Sequence, residues 1–225
     1  EDDVAASTVS PTIVDPEDDT LTYSIDTTGT TGSVTDNGDG TFADVTDRSQ
    51  ITDQNGMGAA IGDFDNDQDD DWFVSSVAPN RLYENIDGTM IANLEADIEA
   101  GSWGWGSCFA DFDLDGDLDI YHTNGWIEEG RGSTANEFFT EDKSRLFVNN
   151  GDKTFTEAAG DVGIDDDLQG RGVVCADFNG DRKVDILLTL YESDPAALLW
   201  LNETPDTSAL EVRVVGTGAN PQGLG

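Results

Sequence analysis

The chain has 225 residues, enough for one large β domain or two small ones, and carries 48 acidic residues against 10 basic ones, a formal net charge of −38. That charge repels phosphate backbones and anionic surfaces, so nucleic acid is excluded as a direct partner. No apolar run approaches the ~20 residues of a membrane span, so no membrane insertion is expected, while the apolar content suffices for a packed core.

Surplus acid with so few lysines points to a salt-rich or calcium-rich medium. The first residue is Glu1 rather than Met, which leads to the expectation of a processed chain or a fragment. Residues 1–12 are polar. The stretch that follows alternates and is broken by turn residues, so 1–40 reads as an N-terminal β segment. Within it, DPEDDTLTYS at 15–24 is weakly similar to the start of cadherin-like repeats. Asp15, Asp18 and Asp19 read there as a solvated turn in preference to calcium ligands.

From Thr41, TFADVTDRSQI predicts a strand leading to the first of three related units. These read GMGAAIGDFDNDQDDDW at 56–72, GWGSCFADFDLDGDLDIY at 104–121 and GRGVVCADFNGDRKVDI at 170–186. All three follow G-x-G-x-x-x-[GA]-D-F and then place acids or Asn at positions 1, 3, 5 and 9, which makes this a repeat protein. Counting from the first Asp, positions 1, 3, 5, 7 and 9 are Asp63, Asp65, Asp67, Asp69 and Asp71 in the first loop. They are Asp111, Asp113, Asp115, Asp117 and Asp119 in the second, and Asp177, Asn179, Asp181, Lys183 and Asp185 in the third. Each close carboxylate pair costs about 1 kcal/mol even when water-screened, unless a cation sits among them. A hard ion of calcium size takes six to eight oxygen ligands and tolerates irregular geometry, so about three Ca²⁺ sites are expected.

An EF-hand needs a bidentate Glu at position 12 and a following helix. Position 12 here is Val74, His122 and Leu188, inside strand-like runs, so the loops join strand to strand. Position 6 demands a positive φ, which Gly116 supplies. Gln68 and Arg182 stand there in the other loops, each at a strain of about 1 kcal/mol. Arg182 and Lys183 also weaken the field of the third loop, making it the expected weakest site.

Each loop is followed by a further strand ending in an Asn-rich turn: NRLYENIDGT at 80–89, SRLFVNNGDKT at 144–154 and ALLWLNET at 197–204. The segment TFTEAAGDVGI from Thr154 repeats the strand at Thr41, giving four strands per unit. With these residues in view, the sequence resembles the FG-GAP or VCBS repeat family, and within it the cartilage acidic protein group. The resemblance implies an all-β fold of propeller-like blades, each a four-stranded antiparallel sheet with calcium-binding inter-strand loops. It covers 41–208 as three repeats, and LEVRVVGTG in 209–225 resembles the opening of an ASPIC/UnbV-like segment. Three repeats cannot close the family's ring of about seven blades. The expectation is therefore a fragment, an open or partial propeller, or a subunit pairing its edges with other copies.

Cys108 and Cys175 sit at −3 and −2 from their first loop Asp, on opposite faces of their strands. Two small buried thiols are the favoured reading, with a disulfide between facing sheets as the alternative. Trp103, Trp105 and Trp126 border a long connection at 123–143, where ring packing between blades is favoured over a sugar-binding platform. Asn202-Glu203-Thr204 is a glycosylation sequon that carries little weight. One histidine, His122, reads as a polar strand-end residue, and no nucleophile elbow, zinc spacing or phosphate loop is present, so no enzyme is expected. The expected role is a secreted or cell-surface calcium-binding module for adhesion or assembly, with other extracellular proteins, glycans or copies of itself as partners. A self-assembling filament or surface-layer subunit and a carbohydrate-binding module are the alternatives.

Overall fold

The structure, a computed structural model, describes residues 51, 55–77, 79–98, 103–126, 142–191 and 195–205. The N-terminal segment 1–40, nearly all of the strand read at 41–51, most of the 123–143 connection and the segment 209–225 lie outside the described residues.

Among the described residues, eleven strands and one helical turn follow one another in chain order. The first sheet has β1 (Gly56–Gly62), β2 (Asp71–Ser76), β3 (Arg81–Ile86) and β4 (Thr89–Ala92), hydrogen-bonded in that order. The second repeats it with β5 (Gly104–Ala110), β6 (Asp119–Asn124), β7 (Arg145–Asn149) and β8 (Phe155–Glu157). Helical turn α1 (Ala159–Val162) follows and ends at Gly163, whose φ of 78° is the left-handed cap that glycine favours. The third sheet contains β9 (Gly170–Ala176), β10 (Asp185–Leu190) and β11 (Ala197–Trp200). Every pairing is antiparallel. The fold is an open, all-β stack of blade-like sheets. The expected four strands are present in the first two blades, and three are described in the third. Sequence reading gave TFTEAAG as strand; its first part is β8, and AAGDV turns into α1 instead.

Strand alternation assigns one row of each sheet to each neighbour. The register aligns Ala60, Phe73 and Leu82 across the first blade and Cys108, Tyr121 and Leu146 across the second, rows that face the next blade along the chain. The offset rows Phe109–Ile120–Phe147 and Cys175–Ile186–Trp200 face the preceding blade. Two inter-blade cores result. One joins Ala60, Phe64, Phe73 and Leu82 to Ile120, Phe147 and Phe155, and the other joins Phe112, Tyr121 and Leu146 to Ile186 and Leu188.

The G-x-G pair lets the innermost strands approach. A Cβ on Gly106 would lie 2.7 Å from the backbone nitrogen of Val173 and 2.8 Å from the carbonyl of Arg171. Gly58 sits against the Trp105 carbonyl in the same way. Alanine at either site would push two blades apart.

At this closest approach Cys108 and Cys175 form a disulfide, with a Cα–Cα distance of 6.4 Å. This corrects the reading of two separate buried thiols. The −3 position looks toward the next blade and the −2 position toward the previous one, so the two cysteines meet across one junction.

Candidate cation-binding loops

Each acid loop is a compact turn wound by two left-handed residues. Position 6 has φ of 78° at Gln68, 101° at Gly116 and 72° at Arg182. Position 4 is left-handed as well, at Asn66 (61°), Leu114 (64°) and Gly180 (83°), a requirement that sequence reading missed.

The carboxylates divide into two duties. Position 1 caps the turn. Asp63 accepts from the backbone N–H of Asp67 and Gln68, and Asp111 from those of Asp115 and Gly116. Asp177 accepts from Gly180, Asp181 and Arg182. Position 9 is fully buried and staples the turn to the third strand. Asp71 accepts from Phe64 N–H at 3.1 Å and Asn85 N–H at 2.8 Å. Asp119 does the same with Phe112 and Asn149, and Asp185 with Phe178 and Asn202, each at 2.9 Å.

The asparagines Asn85, Asn149 and Asn202 recur because each side-chain Oδ1 caps the turn that follows, accepting from the N–H of Gly88, Gly151 and Thr204, and two of them also reach backward. Asn149 Nδ2 donates to the Phe64 carbonyl of the first loop at 2.8 Å, and Asn202 Nδ2 to the Phe112 carbonyl of the second, also at 2.8 Å. The loop phenylalanines anchor the same junctions, with Phe64 1% and Phe112 7% exposed. Sequence reading saw the Asp-Phe pair and the Asn-rich turns but not that they touch between blades. The sequon residue Asn202 has its side-chain nitrogen committed to this latch.

Carboxylate oxygens of Asp63, Asp65 and Asp71 lie within 4.8 Å of one another, as do those of Asp111, Asp113 and Asp115. The donors in both groups are oxygen alone, suited to a hard cation. Asp65 Oδ1 and Asp69 Oδ1 are closed off from solvent and accept no hydrogen bond among the described residues, so each offers a free ligand oxygen. Asp67 accepts from Asp69 N–H, and Asp117 accepts from Asn66 Nδ2 of the first loop at 2.7 Å. The third loop forms no such group among the described residues. Its Asn179 bonds Asp181 through both side-chain atoms. Lys183 donates its ammonium to the Thr204 carbonyl at 3.0 Å and lies 3.7 Å from Asp181.

Electrostatics separate the loops in the same way. Burial, with Asp65 and Asp69 nearby, pushes the Asp71 carboxyl up to about 7 against its backbone bonds. Burial, with Asp113 and Asp115, does the same to Asp119, also to about 7. Asp69 rises to about 6 by burial and then by repulsion from Asp67, Asp65 and Asp63, and Asp113 is raised by burial and Asp115. Asp177 instead moves down, held first by the Arg182 N–H. The first two loops store unfavourable negative charge, and the third has answered part of its own with backbone.

At the opposite ends of the strands the tryptophans stack. Trp126 lies 4.6 Å from Trp103 and 6.4 Å from Trp105, near parallel to both, and the Arg171 guanidinium caps Trp105 at 4.3 Å. His122 is no strand-end residue: it is fully buried in β6, 5.6 Å from both Phe73 and Phe147, with Asn80 Nδ2 3.3 Å from its Nε2.

Repeated blades latched through Asp-Phe loops define a repeat protein of the FG-GAP type. The FG-GAP-like repeat family matches residues 63–122 and 135–188, half of the chain, and the chain belongs to that family. Among curated proteins it is similar to cartilage acidic protein 1 of Homo sapiens, 49% identical over 59 residues, 24% of this chain and 9% of that protein. The protein of the same name from Xenopus tropicalis is 40% identical over 74 residues, 31% of this chain and 11% of its own length. The chain thus spans about a tenth of these relatives.

Proposed function

We propose that this chain is an extracellular calcium-binding repeat module serving adhesion or assembly, with Ca²⁺ as its structural stabiliser. The observation that carries the proposal is the convergence of Asp63, Asp65 and Asp71, and of Asp111, Asp113 and Asp115, at ligand spacing. Asp65 Oδ1, buried without a hydrogen-bond donor, fits this reading. A bound divalent cation would supply charge neutralisation, turning mutual repulsion into coordination and fixing the strand ends that each loop joins. The Cys108–Cys175 disulfide supports an oxidising, extracellular location. Catalysis has no place in this reading, because the acids are engaged in loop geometry and His122 is sealed in the core.

Thermal unfolding with and without chelator, at low and high salt, tests it. At free calcium near 100 times the dissociation constant each site adds about 2.7 kcal/mol, so chelation should lower the midpoint at both salts. A midpoint that follows salt and ignores chelator would make the acids a solvating surface and overturn the proposal.

A second reading, self-association, is favoured by one observation. The third blade presents Val174, Leu187 and Leu199, the row equivalent to the two buried rows, with Val174 54% and Leu199 49% exposed.

A further inference from the structure

The turn between β7 and β8 of the second blade carries Lys153, held at a φ of 70°. Its carbonyl accepts from Asn93 Nδ2 of the first blade at 3.0 Å, which anchors its backbone beside the neighbouring sheet. Its ammonium then crosses the junction into the acids of the first blade. Nζ lies 2.6 Å from Asp65 Oδ2 and is paired with Glu84 Oε1. Asp65 is the position-3 acid of the first loop, and its side chain is only 3% exposed. A cavity of about 300 Å³ opens alongside, lined in part by Phe64, Asn66, Asp117 and Gly151.

A buried carboxylate is costly without a partner, and here the partner is a tethered ammonium. Asp113, the corresponding acid of the second loop, has no ion pair among the described residues. The sequence explains why the loops differ. Four residues after the junction asparagine stands Lys153 in the second blade, whereas the same count from Asn202 reaches Asp206.

We propose that Lys153 is a built-in competitor for the first cation loop, neutralising Asp65 in the metal-free protein and giving way when a divalent cation enters. This rests on the calcium reading above. It follows that the first loop binds more weakly than the second, although its ligand positions carry as many acids. Cation entry there also breaks a contact between blades, so binding is coupled to the junction. Glu84 remains as a second carboxylate for the displaced ammonium, which keeps the exchange from stranding a charge.

Calcium titration by calorimetry of the whole chain and of Lys153→Gln tests this, with Asp63→Asn marking which phase belongs to the first loop. The phase that Asp63→Asn removes should tighten about tenfold in Lys153→Gln, the scale of removing one partly screened charge from a cation site, and the remaining phases should not move. In chelator, Lys153→Gln should melt below the parent, because Asp65 and Glu84 lose their counter-charge. At saturating calcium that difference should vanish or reverse. A first-loop phase that is unchanged or weaker in Lys153→Gln overturns the competitor role while leaving calcium binding intact. Absence of calcium binding in every protein overturns the calcium reading itself, and the competitor role with it.

Discussion

Asp119 shows how much of the loop one residue holds. Its carboxylate is fully buried and accepts from the Phe112 and Asn149 backbone, so it closes the second loop whether or not a cation is present. Asp119→Ala leaves two buried N–H groups unpaired, at about 1–3 kcal/mol each. Urea unfolding in chelator should therefore show a loss of at least about 2 kcal/mol. An unchanged midpoint would mean that these two backbone bonds do not hold the loop. Its titration has a definite sign. Asp71 and Asp119 rise from 3.8 to about 7 in the folded protein, so the folded state keeps protons that the unfolded chain has released. The stability this gives is complete below pH 4 and is lost as pH climbs toward 7. Melting points in chelator, taken in salt high enough to screen the surface, should fall across that window. Calcium binding needs these carboxylates ionised, so it should flatten or reverse the slope. A melting point that rises with pH in chelator would contradict the assignment.

Between elements, the junctions matter more than the sheets. The Cys108–Cys175 bridge ties the second blade to the third across a separation of 67 residues. Chain-entropy reasoning gives such a loop about 4 kcal/mol. The double variant Cys108→Ala/Cys175→Ala should lose roughly that much in urea unfolding, and reduction should cost the parent a similar amount. A loss below about 1 kcal/mol would mean that the glycine contacts and the apolar junction already fix the blades. Much of this scale was legible in the sequence: the opposed faces of the −3 and −2 positions follow from strand alternation, as do the strand order and the Asp-Phe loops. The bond itself was not, because it depends on how closely β5 and β9 approach, which Gly106 decides. The asparagine latches were equally hidden. Asn149 reaches Phe64, and Asn202 reaches Phe112, across 85 and 90 residues, and local pattern carries no trace of such partners. The left-handed φ at position 4 was masked by Leu114, a residue type that conceals the demand that Gly180 meets openly.

At the scale of the whole molecule, two junctions are built alike and a third face leaves its apolar row exposed. Phe64 and Phe112 are buried by the blade that follows them, whereas Phe178, the same residue of the third loop, is 44% exposed. Around it the row Val174–Leu187–Leu199 continues the pattern that buries Ala60–Phe73–Leu82 and Cys108–Tyr121–Leu146 elsewhere. Apolar area of this kind favours contact by about 25 cal/mol per Å² removed from water. The high negative charge opposes approach of a second copy until salt or calcium screens it. Association should therefore grow with protein concentration and appear only at raised salt or calcium. Val174→Asp/Leu199→Asp should suppress it in light scattering while leaving the melting point nearly unchanged, since both side chains already meet solvent. If the double variant associates as the parent does, the contact lies on another face, and the third blade's row is covered by something other than a copy of this chain.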